Sequence, residues 1–352
     1  MNAARALFPG AMGPDGFISC FDQLIDENIL QRRLILKGGP GVGKSTFMRR
    51  LHTKLCHADQ PSTLCFCSGD PDSLDAVVLP HAGLLILDGT APHIIDPKIP
   101  GARDSIINLG ECLDEAALRP RLKHIKTCMA DHAAASRRAR AYMKAAHAVA
   151  QDNATLIASC IDPIKFRRMT DALISAVLAV RGETAEDPIK RSVITDAITP
   201  KGELCLLSES TQHRVIRLVR HQNMDLTPAF SLLCHAALHA GYDVEAHLDP
   251  TSPGSLRHLS IPALSTLITT SDTLVSEQTF DFAASIPQGA LLRHECALEQ
   301  GISSVSQLLH RAVSAMQQAK QLHDELETFY IPNMDFSKWQ TIFDRTLESL
   351  QA

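Results

Sequence analysis

Apolar and polar positions along the chain follow two periods, and these predict its elements. Arg33-Leu34-Ile35-Leu36-Lys37 is a short apolar run of the kind that buried strands make. After a glycine-rich interval, Phe47, Leu51 and Leu55 recur at helical spacing with Arg49, Arg50 and Lys54 between them. A second strand is expected at STLCFC (62–67). Another is expected at LLILD (84–88), which stays apolar until its last residue, Asp88. From about residue 113 to 180 the chain is Ala-rich and helical in pattern. A matching stretch runs from SVSQLLHRAV to WQTIFDRTLESL near the C-terminus. Strands mixed with helices in this way predict an α/β fold.

The pattern also repeats. RALFPGAMGPDG (5–16) resembles RSVITDAITPKG (191–202), and SLDAVVLPHAGLLIL (73–87) resembles SLRHLSIPALSTLIT (255–269), in the same order. Such self-similarity reads as a duplication. The expected organisation is a P-loop NTPase-type parallel sheet with helices on both faces, duplicated, each copy carrying a helical appendage. Residues 1–186 would form the first copy, with its appendage at about 113–180, and 187–352 the second. DPIKRS (187–192) is the expected linker.

Composition changes this picture little. Hydrophobic residues make up 45% of the chain, enough for two cores, and 34 basic residues face 39 acidic ones, so bulk charge does not indicate a nucleic-acid partner. No apolar run is long enough to span a bilayer or to serve as a leader, so a cytoplasmic protein with free thiols is expected. Cys65-x-Cys67 has no second pair at zinc-site spacing and reads as two small core residues.

The interval between the first strand and its helix carries the candidate chemistry. Gly38-Gly39-Pro40-Gly41-Val42-Gly43-Lys44-Ser45-Thr46 fits G-x-x-x-x-G-K-[ST] in the required strand–loop–helix context. Glycines let the backbone turn its N–H groups inward onto a phosphate, and the helix start adds its dipole. Lys44 would reach the β- and γ-phosphates of ATP, and Ser45 would offer a hydroxyl to Mg²⁺. Asp88, at the end of its strand, would complete the magnesium shell. Many ATPases place Glu directly after that aspartate, but here it is Gly89. Candidates to orient water or contact an acceptor are His93, Thr90 and the acids Asp70, Asp72 and Asp75. The alternatives are a turn for the acids and a cap or buried polar group for the histidine. Arg137, Arg138, Arg140 and Lys144 read either as a basic lid over a nucleotide or as a solvated helix face.

The second copy serves as an internal control. Gly38 falls on Arg220, Gly43 on Asp225, Lys44 on Leu226 and Ser45 on Thr227. Asp70, Asp72, Asp75, Asp88 and His93 fall on Ser252, Gly254, Arg257, Thr270 and Val275. Leu74, Pro80 and Leu85 keep their character at Leu256, Pro262 and Leu267. Only the first half is therefore expected to bind nucleotide.

FPGAMGPDGF, LKGGPGVGKS, SLDAVVLP, LDGTAPHIIDPKIPG and INLG, in this order, resemble a family of bacterial ATPase-like proteins built from tandem P-loop halves. The resemblance implies a P-loop ATPase fold, with Gly38 to Thr46 on phosphate and Asp88 on magnesium. In that family the second half often has its own glycine loop, and this chain departs from the pattern at 220–227. Three activities fit the sequence: an ATPase whose turnover switches the helices or a protein partner, a kinase acting on a small molecule or nucleotide, or a module that holds ATP. The long helices would also suit a homodimer or partner surface.

Overall fold

The computed structural model describes residues 4–24, 29–57, 60–91, 94–180, 182–207 and 214–351. The first half contains strands β1 (Arg5–Leu7), β2 (Gly10–Gly13), β3 (Gly16–Ser19), β4 (Arg32–Lys37), β5 (Thr63–Phe66), β6 (Leu74–Leu79), β7 (Leu84–Asp88) and β8 (Asp104–Asn108). Its helices are α1 (Lys44–Leu55), the one-turn α2 (Glu115–Leu118), α3 (Leu122–Ala158) and α4 (Pro163–Leu178). The second half repeats the series. Its strands are β9 (Lys190–Val193), β10 (Asp196–Thr199), β11 (Gly202–Cys205), β12 (Arg214–Val219), β13 (Val244–Leu248), β14 (Leu256–Ile261), β15 (Thr266–Thr269) and β16 (Gln278–Asp281). Its helices are α5 (Thr227–His239), α6 (Glu295–Tyr330) and α7 (Phe336–Gln351).

The two halves share one topology. The first sheet runs β1-β5-β6-β7-β4-β8 and the second β9-β13-β14-β15-β12-β16, element for element. A bulge interrupts β5 between Cys65 and Phe66, and its counterpart interrupts β13 between His247 and Leu248. Gly83 and Ser265 both take the left-handed conformation in equivalent turns, at φ 55° and 46°.

Each sheet is mixed, which corrects the expectation of a parallel sheet. β6 and β14 run antiparallel to both neighbours. The reason is local: a single turn at Pro80–Ala82 joins β6 to β7, and a parallel partner would need a crossover of about a dozen residues. Helices also cover one face of the first sheet, where two were expected. Leu34, Leu36 and Ile86 pack with Phe47, Met48 and Leu51 of α1 and with Phe343 of α7. Ile35, Cys65, Ala76, Leu85 and Leu87, on the other face, lie beneath Phe21 and Leu30, which come from a 3-10 turn and a loop. Cys65 is fully buried, as a core residue should be.

The helical appendages exchange. α7, from the end of the chain, packs on the first sheet, while Leu173 and Val177 of α4 pack with Phe230, Ile268 and Phe282 of the second half. Matching backbone bonds start both helices: Asp335 N–H donates to Cys112 carbonyl at 2.7 Å and Asp162 N–H to Ser285 carbonyl at 2.8 Å. Between them α3 and α6, of 37 and 36 residues, run antiparallel, with Cys128 beside Leu322 and Asn153 beside Gly301. Small buried residues, among them Ala139, Ala312 and Ala315, bring their middles together. The halves meet on a pseudo-twofold axis. Phe8 and Ile194, which align in the repeat, pair antiparallel with each other, and Phe8 N–H donates to Ile194 carbonyl at 2.9 Å.

Among the described residues, no helix is long and apolar enough to cross a membrane.

Candidate phosphate-binding site

β4 and β7 lie side by side and parallel, with Leu36 opposite Asp88, so the glycine loop and the aspartate leave the same sheet edge together. Val42, 1% exposed, anchors the loop in the core. Gly43 takes φ 78° as the residue before α1, a conformation that favours glycine, and no side chain caps the helix. The first intrahelical bond is Phe47 N–H to Gly43 carbonyl at 2.9 Å. The N–H groups ahead of it have no partner within the helix.

Lys44 lies across this loop. Its Nζ donates to Gly39 carbonyl at 2.9 Å and Gly38 carbonyl at 3.3 Å and stands 3.6 Å from Asp88 Oδ2. Thr90 fixes the aspartate by donating to Asp88 Oδ1 from its N–H at 2.8 Å and its hydroxyl at 2.5 Å, which leaves Oδ2 toward the lysine. Ser45 Oγ accepts from Leu74 N–H at 2.9 Å. In the second half Thr227 Oγ1 accepts from Leu256 N–H at 3.3 Å. This bond therefore belongs to the fold, and the second lone pair of Ser45 is its candidate contribution to a metal.

The second half fills the same space with its own groups. Asp225 Oδ1 accepts from Thr227 N–H at 2.8 Å, so a carboxylate takes a helix-start donor that in α1 faces the loop. Pro228, aligned with Thr46, removes another donor. Arg220 closes the loop by donating to Met224 carbonyl at 2.6 Å, and Met224 is fully buried. The altered loop at 220–227 is thus physically plugged.

The other candidates are dispersed. Lys320 of α6 stands 3.5 Å from Asp70, and Lys201, in the β10–β11 turn, 2.6 Å from Asp72. Lys201 above all holds the Asp72 carboxyl below its ordinary value. Asp75 is buried beside the Cys67 thiol, whose pKa rises well above the usual value through burial first and then this carboxylate. Asp70 and Asp72 thus dock the second half onto the first, while Asp75 stays within its own half. His93 lies outside the described residues. Arg138 bonds Gln318 on α6, and Lys144 stands 3.6 Å from Asp15. These lie about 15 and 24 Å along α3 from Cys128, the part of the helix packed near Tyr330, which argues against a basic lid over the loop.

The sequence motifs pass over what covers the loop's outer side, because those residues arrive from the far end of the chain. Trp339 Nε1 donates to Val42 carbonyl at 3.1 Å. A Cβ on Gly39 would lie 3.4 Å from the Tyr330 ring, and one on Gly41 2.9 Å from Ile331. Glu327 of α6 reaches the Gly41 N–H. Its carboxyl is held below the ordinary value foremost by His323, against burial, with Lys320 and that N–H assisting.

The structure also explains Gly89. A Cβ there would lie 2.3 Å from Ile35 Cγ2 and 3.1 Å from Ile95 carbonyl, and both atoms belong to packed chain. Lys37 holds the segment in place by donating to Gly89 and Ile95 carbonyls, each at 2.8 Å. A glutamate after Asp88 is therefore sterically shut out. We expect Gly89→Ala to lose about 1–3 kcal/mol to overpacking in urea unfolding. An unchanged midpoint would show that the loop relaxes freely.

No family model, curated protein or solved structure matches this chain in comparison searches.

Proposed function

We propose that the first half is a P-loop site that binds ATP with Mg²⁺ and hydrolyses it, and that the second half is a scaffold without a nucleotide site of its own. One observation carries this reading. Lys44 and Asp88 sit side by side beneath an uncapped helix start and a glycine loop, where the second half has a carboxylate, a proline and an arginine plug. Residues Gly38 to Thr46 would cradle the phosphates, and Lys44 would exchange its carbonyl partners for the β- and γ-phosphates. Ser45 and Asp88 would hold the magnesium, which supplies charge neutralisation at the transferring phosphoryl group.

The arrangement also suggests what turnover would move. The loop is covered by Glu327 and Tyr330 of α6, by Ile331 just after it and by Trp339 of α7, and Glu327 takes an N–H that a phosphate would claim. Nucleotide occupancy would therefore loosen or tighten α6 and α7 against the first sheet. A second reading, ATP held with little turnover, rests on the closed space at Gly89 and the tethered Asp72.

Thermal unfolding with and without Mg-ATP tests the site. At a hundredfold excess over Kd the wild type should gain about 2.7 kcal/mol, and Lys44→Ala should gain nothing. Phosphate release in the same samples, with no acceptor added, separates hydrolysis from a holding module and from a kinase. A wild type that ATP and GTP both fail to stabilise would sink the nucleotide reading.

A further inference from the structure

The second half has chemistry of its own, on the sheet face opposite its helices. Asp196 and Cys205 are directly opposed in the β10–β11 hairpin, and His258 comes up from β14 beside them. One ligand atom from each lies within 4.8 Å of the others, and His258 Nε2 is 2.8 Å from Asp196 Oδ2. Asp196 and His258 are buried, while Cys205 opens to solvent.

The surroundings orient these groups. Thr195 donates its hydroxyl proton to Asp196 Oδ2 at 2.9 Å, so toward His247 Nδ1, 3.0 Å away, it must accept. His258 Nδ1 stands 2.7 Å from Thr269 Oγ1, which also accepts from Ser271 N–H at 2.9 Å. An imidazole fixed at one nitrogen by an outer partner, with the other aimed at a carboxylate and a thiol, is how metal-ligating histidines are held.

The duplication supplies the control. In the first half Asp196, Cys205 and His258 correspond to Gly10, Ser19 and Ala76, at the same ladder positions. His247 and Ser260 correspond to Cys65 and Val78, in an apolar core. The fold itself therefore needs none of these polar groups here. The half that lacks the phosphate cradle carries all of them.

We propose that Asp196, Cys205 and His258 form a binding site for one divalent zinc-like cation, with solvent as the fourth ligand. The mix of carboxylate, thiolate and imidazole suits Zn²⁺ and disfavours Mg²⁺, which takes oxygen ligands. Tetrahedral zinc holds nitrogen and oxygen ligands about 3.3 Å apart, so the Asp196–His258 pair would open by about half an ångström. His258 would carry its proton on Nδ1, toward Thr269, and Cys205 would release its thiol proton to solvent as the sulfur–metal bond forms. Arg257 lies 3.6 Å from Asp196 Oδ1, but Asp249, 3.0 Å away, and Glu203 already oppose its charge.

The test uses the full chain without nucleotide and metal alone as the probe. Wild type should bind one Zn²⁺ per chain by calorimetry and, with Co²⁺, show a thiolate charge-transfer band in the near ultraviolet. Mg²⁺ should not compete. Cys205→Ser restores the first-half residue at an exposed position and should keep the fold by circular dichroism. It should lose the band and bind Zn²⁺ more than about 100-fold more weakly, beyond what an outer-shell change costs. His258→Gln should weaken binding likewise. Wild type that takes up no stoichiometric Zn²⁺, or a Cys205→Ser chain with unchanged affinity and band, would overturn the proposal. The remaining nine cysteines, exposed Cys296 among them, make the second result a meaningful one.

Discussion

Trp339→Ala is expected to destabilise the chain by about 3–5 kcal/mol and to abolish stabilisation by Mg-ATP. The expectation rests on where this side chain sits. Trp339 is 6% exposed and stacks on Phe343 at 5.8 Å, while Phe47 meets it edge-on at 5.4 Å. Arg50 lies over both rings, 5.2 Å from Trp339 and 4.1 Å from Phe343. This cluster fastens α7 to α1, and the indole N–H fastens α7 to the glycine loop at Val42. Removing the ring leaves a cavity, a carbonyl without its donor and a loop without its outer wall. In the second half Phe166 of α4 packs edge-on with Phe282 at the corresponding place. Trp339→Phe separates the effects: it keeps ring packing and should cost about 1–3 kcal/mol for the lost hydrogen bond. Chemical denaturation followed by far-ultraviolet circular dichroism reads both variants. Two variants as stable as wild type would show that α7 is an accessory to the first half.

The second large effect is expected at Asp104. This residue begins β8 opposite Arg33 of β4, and both are buried, at 2% and 5% exposure. Asp104 accepts from Arg33, from Arg103 Nε at 2.8 Å, and from the N–H groups of Lys98 at 2.6 Å and Ile99 at 2.8 Å. Burial alone would raise its carboxyl pKa, but these donors outweigh it and hold the group well below the ordinary carboxylate range. Asp104→Ala strands the Arg33 charge in the interior and should cost about 3–5 kcal/mol.

The pH dependence follows with a definite sign. A carboxyl whose pKa is depressed by folding contributes its full stability above the unfolded value of about 3.9. It loses that stability as pH falls toward the folded value. Asp196 is depressed too: burial opposes the shift, and His258 and Arg257 drive it. Wild-type stability should therefore fall as pH drops below about 5. Asp104→Asn, which keeps the shape, should show a flatter acid limb. Equal slopes in the two proteins would remove Asp104 from the account.

Much of the candidate site was legible in the sequence because its parts are contiguous or nearly so. A strand, a glycine loop and a helix start occupy residues 32 to 55, and local propensity decides each of them. Asp88 could be placed because a short apolar run ending in an acid delivers that acid at a sheet edge. The residues behind and above the loop were not legible. Gly89 looked like a missing glutamate, and only its neighbours Ile35 and Ile95 show that no side chain fits there. Asp70 and Asp72 stayed open between a turn and a catalytic role because sequence gives charge without partners, and their partners Lys320 and Lys201 come from the second half.

The sequence by itself determined the two α/β halves, their aligned elements and the loss of the glycine cradle from the second. Period, turn residues and self-similarity are local properties that survive without a partner. Tertiary structure alone decided the exchange of α4 and α7 and the meeting of Asp196, Cys205 and His258. An amphipathic helix carries no mark of which of two similar sheets it will cover. Pairings across a long stretch of chain are settled only when both surfaces are present and one arrangement buries more of them.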